Sequence, residues 1–265
     1  MTRYQAMFKS LAQKNEAAFI PFTVLGYPDA ERSYELIRLL IENGADALEV
    51  GIPFSDPVAD GPVIQAAGGE ALKHGFSVKE SLTLIRRVRK DYPDIPIGIL
   101  LYANLVYANG VKNFIASLAA CGVDSLLIAD VPLDEGAEII KAADAYGVDV
   151  VFIVPPNAGM TKVERLGQAS RGYVYMLGRK GVTGTGVEAE LPSTEVLQTL
   201  SKVQAPPAIL GFGISTPEHV RRAVAHGLDG VIAGSAIVER APMLADGRVG
   251  ELVQYIQDMK KATLR

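Results

Sequence analysis

The stretch Leu48-Glu49-Val50-Gly51-Ile52-Pro53-Phe54-Ser55-Asp56-Pro57-Val58-Ala59-Asp60-Gly61-Pro62 carries three carboxylates and no Lys, Arg or His. A carboxylate with no fixed cation beside it exchanges protons once it is shielded from water, because desolvation raises its pKa toward neutrality. That is general acid–base chemistry. The segment begins as a strand over 45–51 and then breaks at three prolines. Alternate strand residues face opposite sides, so Glu49 shares a face with the small Ala47 and Gly51 and has space in front of it. A second account stays open at this point: Glu49 caps nearby amides at a strand end, and the two aspartates serve turns.

A second set of residues suits an anion. Gly178-Arg179-Lys180-Gly181-Val182-Thr183-Gly184-Thr185-Gly186, Gly211-Phe212-Gly213-Ile214-Ser215 and Ala233-Gly234-Ser235-Ala236-Ile237 each follow an apolar run late in the chain. Glycine lets backbone N–H groups approach a phosphate, and a helix N-terminus adds partial positive charge. Any one of these glycines can also be a turn residue that only relieves strain; three such segments at corresponding places point to a phosphate group. A phosphate at one end and Glu49 at the other describe a ligand with a phosphorylated tail and an apolar head.

These residues need a scaffold. Apolar strand-like runs cover 18–24, 45–51, 97–102, 125–130, 150–154, 173–178, 208–212 and 230–234. Helix-like stretches lie between them, among them 30–42, 78–89, 111–120, 135–146, 193–203 and 217–226. Four helices stop at a Gly just before the next strand, in Asn43-Gly44-Ala45-Asp46, Cys121-Gly122-Val123-Asp124, Tyr146-Gly147-Val148-Asp149 and His226-Gly227-Leu228-Asp229. Strands alternating with helices, without a linker or low-complexity break, predict an α/β chain: a single (β/α)8 TIM barrel domain over 1–265, with an extra N-terminal helix over 2–14 and another over 62–73. An open doubly wound sheet is the runner-up; eight units favour closure.

A barrel carries its site where strands end and βα loops begin, with phosphate after strands seven and eight. Extending the facing of Glu49 around the barrel nominates Ile20 and Phe22, Leu100 and Tyr102, Leu127 and Ala129, Tyr173 and Tyr175, Leu210 and Phe212, and Ile232 and Gly234. Ile153 ends the fifth strand. An apolar, partly aromatic wall around one carboxylate suits a flat aromatic ligand. The deeper of these residues read equally as barrel core.

Composition narrows the classes. Hydrophobic residues make up 49% and charged residues 21%, as in globular proteins, and the net charge of −4 comes with no long basic block, which argues against nucleic acid or an anionic membrane as partner. The single cysteine, Cys121, excludes an internal disulfide and a cysteine metal cage. The start lacks an apolar signal core and no apolar run spans a bilayer, which predicts a cytoplasmic protein. His74, His219 and His226 are not at strand ends, no HxH or HExxH set suggests a metal, and no strand ends in a Schiff-base lysine. Carboxylates remain to move protons.

The chain resembles the tryptophan synthase alpha-subunit family along its whole length. The motifs are the long stretch from Leu48 through Pro62 to Val63-Ile64-Gln65, then Tyr102-Ala103-Asn104, Ala129-Asp130-Val131-Pro132, Pro155-Pro156-Asn157, Gly181-Val182-Thr183-Gly184 and Gly211-Phe212-Gly213-Ile214-Ser215. The first is long and highly specific. The resemblance implies cleavage of indole-3-glycerol phosphate to indole and glyceraldehyde 3-phosphate, without a cofactor or metal. It implies that Glu49 and Asp60 are the acid–base pair and that Gly184, Gly213, Gly234 and Ser235 hold the phosphate, with Thr183 beside them. It also implies a pyridoxal-phosphate beta subunit as partner, in an alpha2beta2 heterotetramer. Two positions depart from the family pattern: Glu70 stands where Arg is expected, and Gly178 where Ser is commoner. Two other readings of the residues remain: a different phosphosugar barrel enzyme, and a non-catalytic barrel that binds a phosphorylated ligand or supports a partner.

Overall fold

The computed structural model of the chain describes residues 1–178 and 190–265. Its strands are β1 (Ala18–Val24), β2 (Leu48–Gly51), β3 (Ile97–Leu101), β4 (Ser125–Ile128), β5 (Asp149–Val150), β6 (Ile153–Val154), β7 (Val174–Leu177), β8 (Ala208–Gly211) and β9 (Gly230–Ala233). They pair in parallel in the order β5-β4-β3-β2-β1-β9-β8-β7-β6. β5 and β6 stand at the two ends of that order yet are consecutive in the chain, so the sheet closes on itself as an eight-staved barrel. The fifth stave, expected as one run over 150–154, is two pieces. Between them the Val151 N–H still donates to Leu126 at 2.9 Å, and the Phe152 carbonyl accepts from Tyr175 at 3.1 Å. The Phe152 N–H turns instead to the Ser170 hydroxyl at 3.3 Å, which breaks the ladder.

The helices are α1 (Arg3–Lys14), α2 (Ala30–Glu42), α3 (Pro62–Lys73), α4 (Val78–Asp91), α5 (Ala103–Ala108), α6 (Val111–Ala120), α7 (Ala137–Tyr146), α8 (Met160–Ala169), α9 (Thr194–Lys202), α10 (Pro217–Ala225), α11 (Ser235–Val238) and α12 (Val249–Lys261). Their starts are written in the sequence. Ser77 and Glu80 form a capping box on α4, and Thr216 caps α10 with Pro217 at its first position. α7 stops at Gly147, which takes a left-handed φ of 68° and donates its N–H back into the last turn.

Burial divides into two layers. Ile20, Phe22, Leu127, Tyr173, Tyr175, Ile209 and Ile232 fill the barrel interior. Phe19, Leu48, Val50, Leu101, Leu126 and Leu210 belong to the layer between sheet and helices. This is the alternation of a sheet buried on both faces. α1 closes the N-terminal end: Tyr4, 1% exposed, hydrogen-bonds the Ser125 hydroxyl at 2.9 Å, and its ring lies 5.5 Å from that of Tyr173.

The aspartates two residues beyond three of the glycine stops fasten strand starts together. Asp46, Asp124 and Asp229 accept the N–H groups of Phe19, Ile97 and Ala208 at 2.8, 2.8 and 3.0 Å. Each also meets a cation: Lys260, Arg3 with Arg89, and Arg265 respectively. These carboxylates are therefore scaffold at the N-terminal end, leaving the opposite end for chemistry. Among the described residues no helix is long and apolar enough to cross a membrane.

Candidate active site

Glu49 projects from β2 into the barrel and is 2% exposed. Its Oε1 accepts a hydrogen bond from the Tyr173 hydroxyl at 2.9 Å. Burial pushes its pKa up to about 7; the Tyr173 bond opposes that rise, and the negative charge of Asp60 adds to it. Asp60 is buried as well, and burial pushes its pKa up to about 6 against the lowering effect of a hydrogen bond with Tyr102. Asp56 is exposed to solvent. Burial thus separates the two loop aspartates and sets Asp60, the one that the resemblance singles out, at the cavity.

The 53–61 loop holds Asp60 inward by its own bonds. The Asp60 N–H donates to the Pro57 carbonyl at 3.0 Å, and the Gln65 side chain donates to the Asp60 carbonyl at 2.8 Å. Ala59 donates its N–H to the Tyr102 hydroxyl at 3.2 Å, while the Tyr102 ring stacks on Phe54 with centroids 5.3 Å apart. Tyr102 is the residue just before α5, past the end of β3, and it supports the loop from below.

In front of Glu49 opens a cavity of about 680 Å³, counting its open mouth. Phe22, Leu100, Ala129, Ile153, Tyr175, Phe212 and Ile232 give it an apolar wall, with Asp60 on one side. Gly213, Gly234 and Ser235 line it at the ends of β8 and β9. Five nominated residues lie outside its lining: Ile20 and Leu127 are packed in the barrel interior at 1% and 2% exposure, Tyr173 is buried there as the donor to Glu49, Leu210 faces the helices, and Tyr102 lines a neighbouring space under the loop. Thr183 and Gly184 lie outside the described residues.

The facing expected for the strand over 208–212 is corrected. Leu210 belongs to the outer layer, and Ile209 and Gly211 face inward. A Cβ at Gly211 would stand 2.0 Å from the Tyr175 hydroxyl, so glycine there makes room for that ring. Phe212 reaches the cavity because its backbone leaves the strand at φ 70°, a conformation costing a non-glycine residue about 1 kcal/mol or more. Its ring then meets Tyr175 edge-on at 6.3 Å. Gly213 follows at φ 73°, so the turn that aims Phe212 inward also carries glycine to the cavity wall.

Sequence reasoning missed Ala59, Ile64, Ile214, Ser215 and Ala236 as lining residues. Ile214, Ser215 and Ala236 lay inside the quoted glycine motifs, and Ile64 follows Pro62 at the start of α3, so the signal was available. The role of Tyr173 as donor to Glu49 had no signal beyond its facing. Among the described residues no group of three or more His, Cys, Asp or Glu is placed to hold a metal ion.

A family profile described as tryptophan synthase alpha chain matches residues 8–263. A tryptophan synthase alpha chain of Vibrio parahaemolyticus is 45% identical, with 99% of each chain covered, and one of Francisella tularensis is 46% identical, covering 99% of this chain and 98% of that one. Among solved structures, Mycobacterium tuberculosis tryptophan synthase superposes with a TM-score of 0.89 at 29% identity, covering 100% of this chain and 99% of that one. The tryptophan synthase complex from Pyrococcus furiosus gives 0.80 at 30% identity, over 92% and 98%. With the profile spanning nearly the whole barrel and relatives matching end to end, the chain belongs to the tryptophan synthase alpha chain family.

Proposed function

We propose that this protein cleaves indole-3-glycerol phosphate to indole and glyceraldehyde 3-phosphate, a carbon–carbon lyase step of tryptophan biosynthesis. The observation that carries the reading is a buried carboxylic acid, Glu49, with its pKa near 7 and facing an apolar cavity that a second buried carboxylate, Asp60, also lines. The family supplies the substrate.

Glu49 in its acid form donates a proton to indole C3. Positive charge then develops on the ring nitrogen, and ionised Asp60, accepting the ring N–H, stabilises it. The Glu49 carboxylate next takes the proton of the hydroxyl on the adjacent glycerol carbon. As that C–O bond becomes an aldehyde, the C3–carbon bond breaks and its electron pair returns to the ring, discharging the nitrogen. Glu49 ends protonated, as it began. The wall of Phe22, Leu100, Ala129, Ile153, Tyr175, Phe212 and Ile232 holds the ring, with Leu127 packed behind it and Tyr102 fixing Asp60. Gly213, Gly234 and Ser235, together with Gly184 and Thr183, receive the phosphate. The barrel over 1–265 serves as one domain, works in the cytoplasm, and pairs with a beta subunit in an alpha2beta2 heterotetramer. The reading is supported by relatives solved as tryptophan synthase, one of them as a complex.

The test is direct. Purified protein incubated with indole-3-glycerol phosphate should release indole, visible by fluorescence because the chain contains no Trp. Absence of indole release, with and without the beta subunit, would refute the reading.

A further inference from the structure

A second cavity of about 320 Å³, also counting its open mouth, lies under the 53–61 loop. It shares Phe22, Asp60, Ile64 and Leu100 with the main cavity, so the two meet beside Asp60, but Glu49 borders only the main one. Phe54, Pro57 and Tyr102 give this annex an apolar wall, and Gly68 of α3 lines it too. Gly68 is buried, yet a Cβ built there meets no atom within 4 Å. Glycine inside a helix costs about 1 kcal/mol relative to alanine, and here neither crowding nor a positive φ requires it. The glycine keeps a space open.

On the reading above, indole C3 is at Glu49 and the ring N–H is at Asp60. C2 lies between those two atoms and therefore between the two carboxylates, inside the main cavity. The other flank of the nitrogen is C7, on the side of Asp60 away from Glu49. We propose that the annex is a specificity pocket for a small apolar substituent, such as a methyl group, on C7 of the indole ring, and that Gly68 is its determinant. The proposal rests on the placement of the ring N–H at Asp60.

Cleavage of indole-3-glycerol phosphate and of its 7-methyl derivative is compared in the full-length protein and in Gly68→Leu. The unaltered protein should process the two substrates with kcat/KM within about threefold of each other. Gly68→Leu should lower the 7-methyl value relative to the parent by at least about tenfold, the order expected when a pocket loses room for one methyl group. Gly68→Ala, which adds one carbon where the structure has open space, should fall between them, and its ratio decides the case if the leucine variant does not fold. Equal losses on both substrates in Gly68→Leu, or an unchanged ratio in Gly68→Ala, would overturn the annex. So would refusal of the 7-methyl substrate by the unaltered protein while the parent is cleaved. Failure to cleave the parent would instead remove the lyase reading, and the annex with it.

Discussion

Glu49 keeps its proton near neutral pH because burial outweighs the hydrogen bond that Tyr173 donates to it. Glu49→Gln preserves the shape and cannot exchange that proton. It should bind substrate normally but release indole slower by roughly two to four orders of magnitude, measured in single turnover; near-normal turnover would refute the role. The same raised pKa makes a stability statement. The native state holds a proton that the unfolded chain gives up above about 4.5, so this contribution is complete below that pH and is lost as pH rises through about 7. Relative to Glu49→Gln, the unaltered protein should therefore lose on the order of 2–3 kcal/mol between pH 5 and pH 8 in urea melts. The proposed mechanism needs Asp60 ionised while Glu49 is protonated, so kcat/KM should fall below about pH 6 and above about pH 7. Asp60→Asn should lose most activity and the acid limb of that profile. Its remaining alkaline limb should move to lower pH, because the charge on Asp60 helps to raise Glu49. An intact acid limb in that variant would show that another group titrates there. Glu49 was legible in the sequence as a lone charge among inward-facing apolar residues. Its donor was not, because period-two facing names neighbours without saying whose hydroxyl arrives.

At the scale of elements, β7 and β8 meet where Gly211 accommodates Tyr175. The Tyr175 hydroxyl oxygen and the two nearest ring carbons lie 2.0 to 2.5 Å from the position of an added Cβ. Gly211→Ala must therefore push the buried Tyr175 ring into the cavity or part the strands. It should lower thermal stability by about 1–3 kcal/mol and raise KM at least about tenfold, while changing kcat less, since Glu49 is on β2. Unaltered KM and melting temperature would show that the strands shift without cost. The stretch around β8 is also where the reading of facing failed. Alternation holds only while φ and ψ stay extended, and Phe212 leaves that region. No residue type announces such a departure at a phenylalanine, although the glycines on both sides hint at a turn. The fifth stave failed more mildly, since a hydroxyl at Ser170 competes for one strand amide and divides it. Helix stops and starts were legible because their determinants are local: a serine, threonine or aspartate before, a glycine after.

The whole barrel was legible because strand and helix periods alternate eight times, the number of units at which a parallel sheet closes with its helices outside. The annex beside the main cavity was not, since a cavity is what side chains fail to fill. The C-terminal rim presents Val58, 73% exposed on the site loop, and Tyr107, 50% exposed on α5. A partner docking there would touch the loop that carries Asp60. Adding the beta subunit should raise indole release at least about tenfold, roughly 1.4 kcal/mol of barrier. Equal rates with and without it, and no complex by size exclusion, would make this a self-sufficient lyase. The seam between β1 and β9 has another consequence. From Gly51 at the end of β2 to Gly230 at the start of β9 the ribosome must add about 180 residues, which takes about 10 to 40 seconds at roughly 5–20 residues per second. Throughout that interval Ala18-Phe19-Ile20-Pro21-Phe22-Thr23-Val24 waits with one edge unpaired, an apolar template for any passing strand. Nothing in the backbone of that edge interrupts it: Ala18 donates toward β9, to Asp229 at 2.8 Å, while Phe19 and Leu25 bond toward β2, so alternation puts the N–H that Pro21 lacks on the β2 side. A chain cut short after Asp229, which lacks β9, should therefore give a lower soluble yield on refolding than the full-length chain, and an equal yield would show that the open edge is guarded within the incomplete barrel.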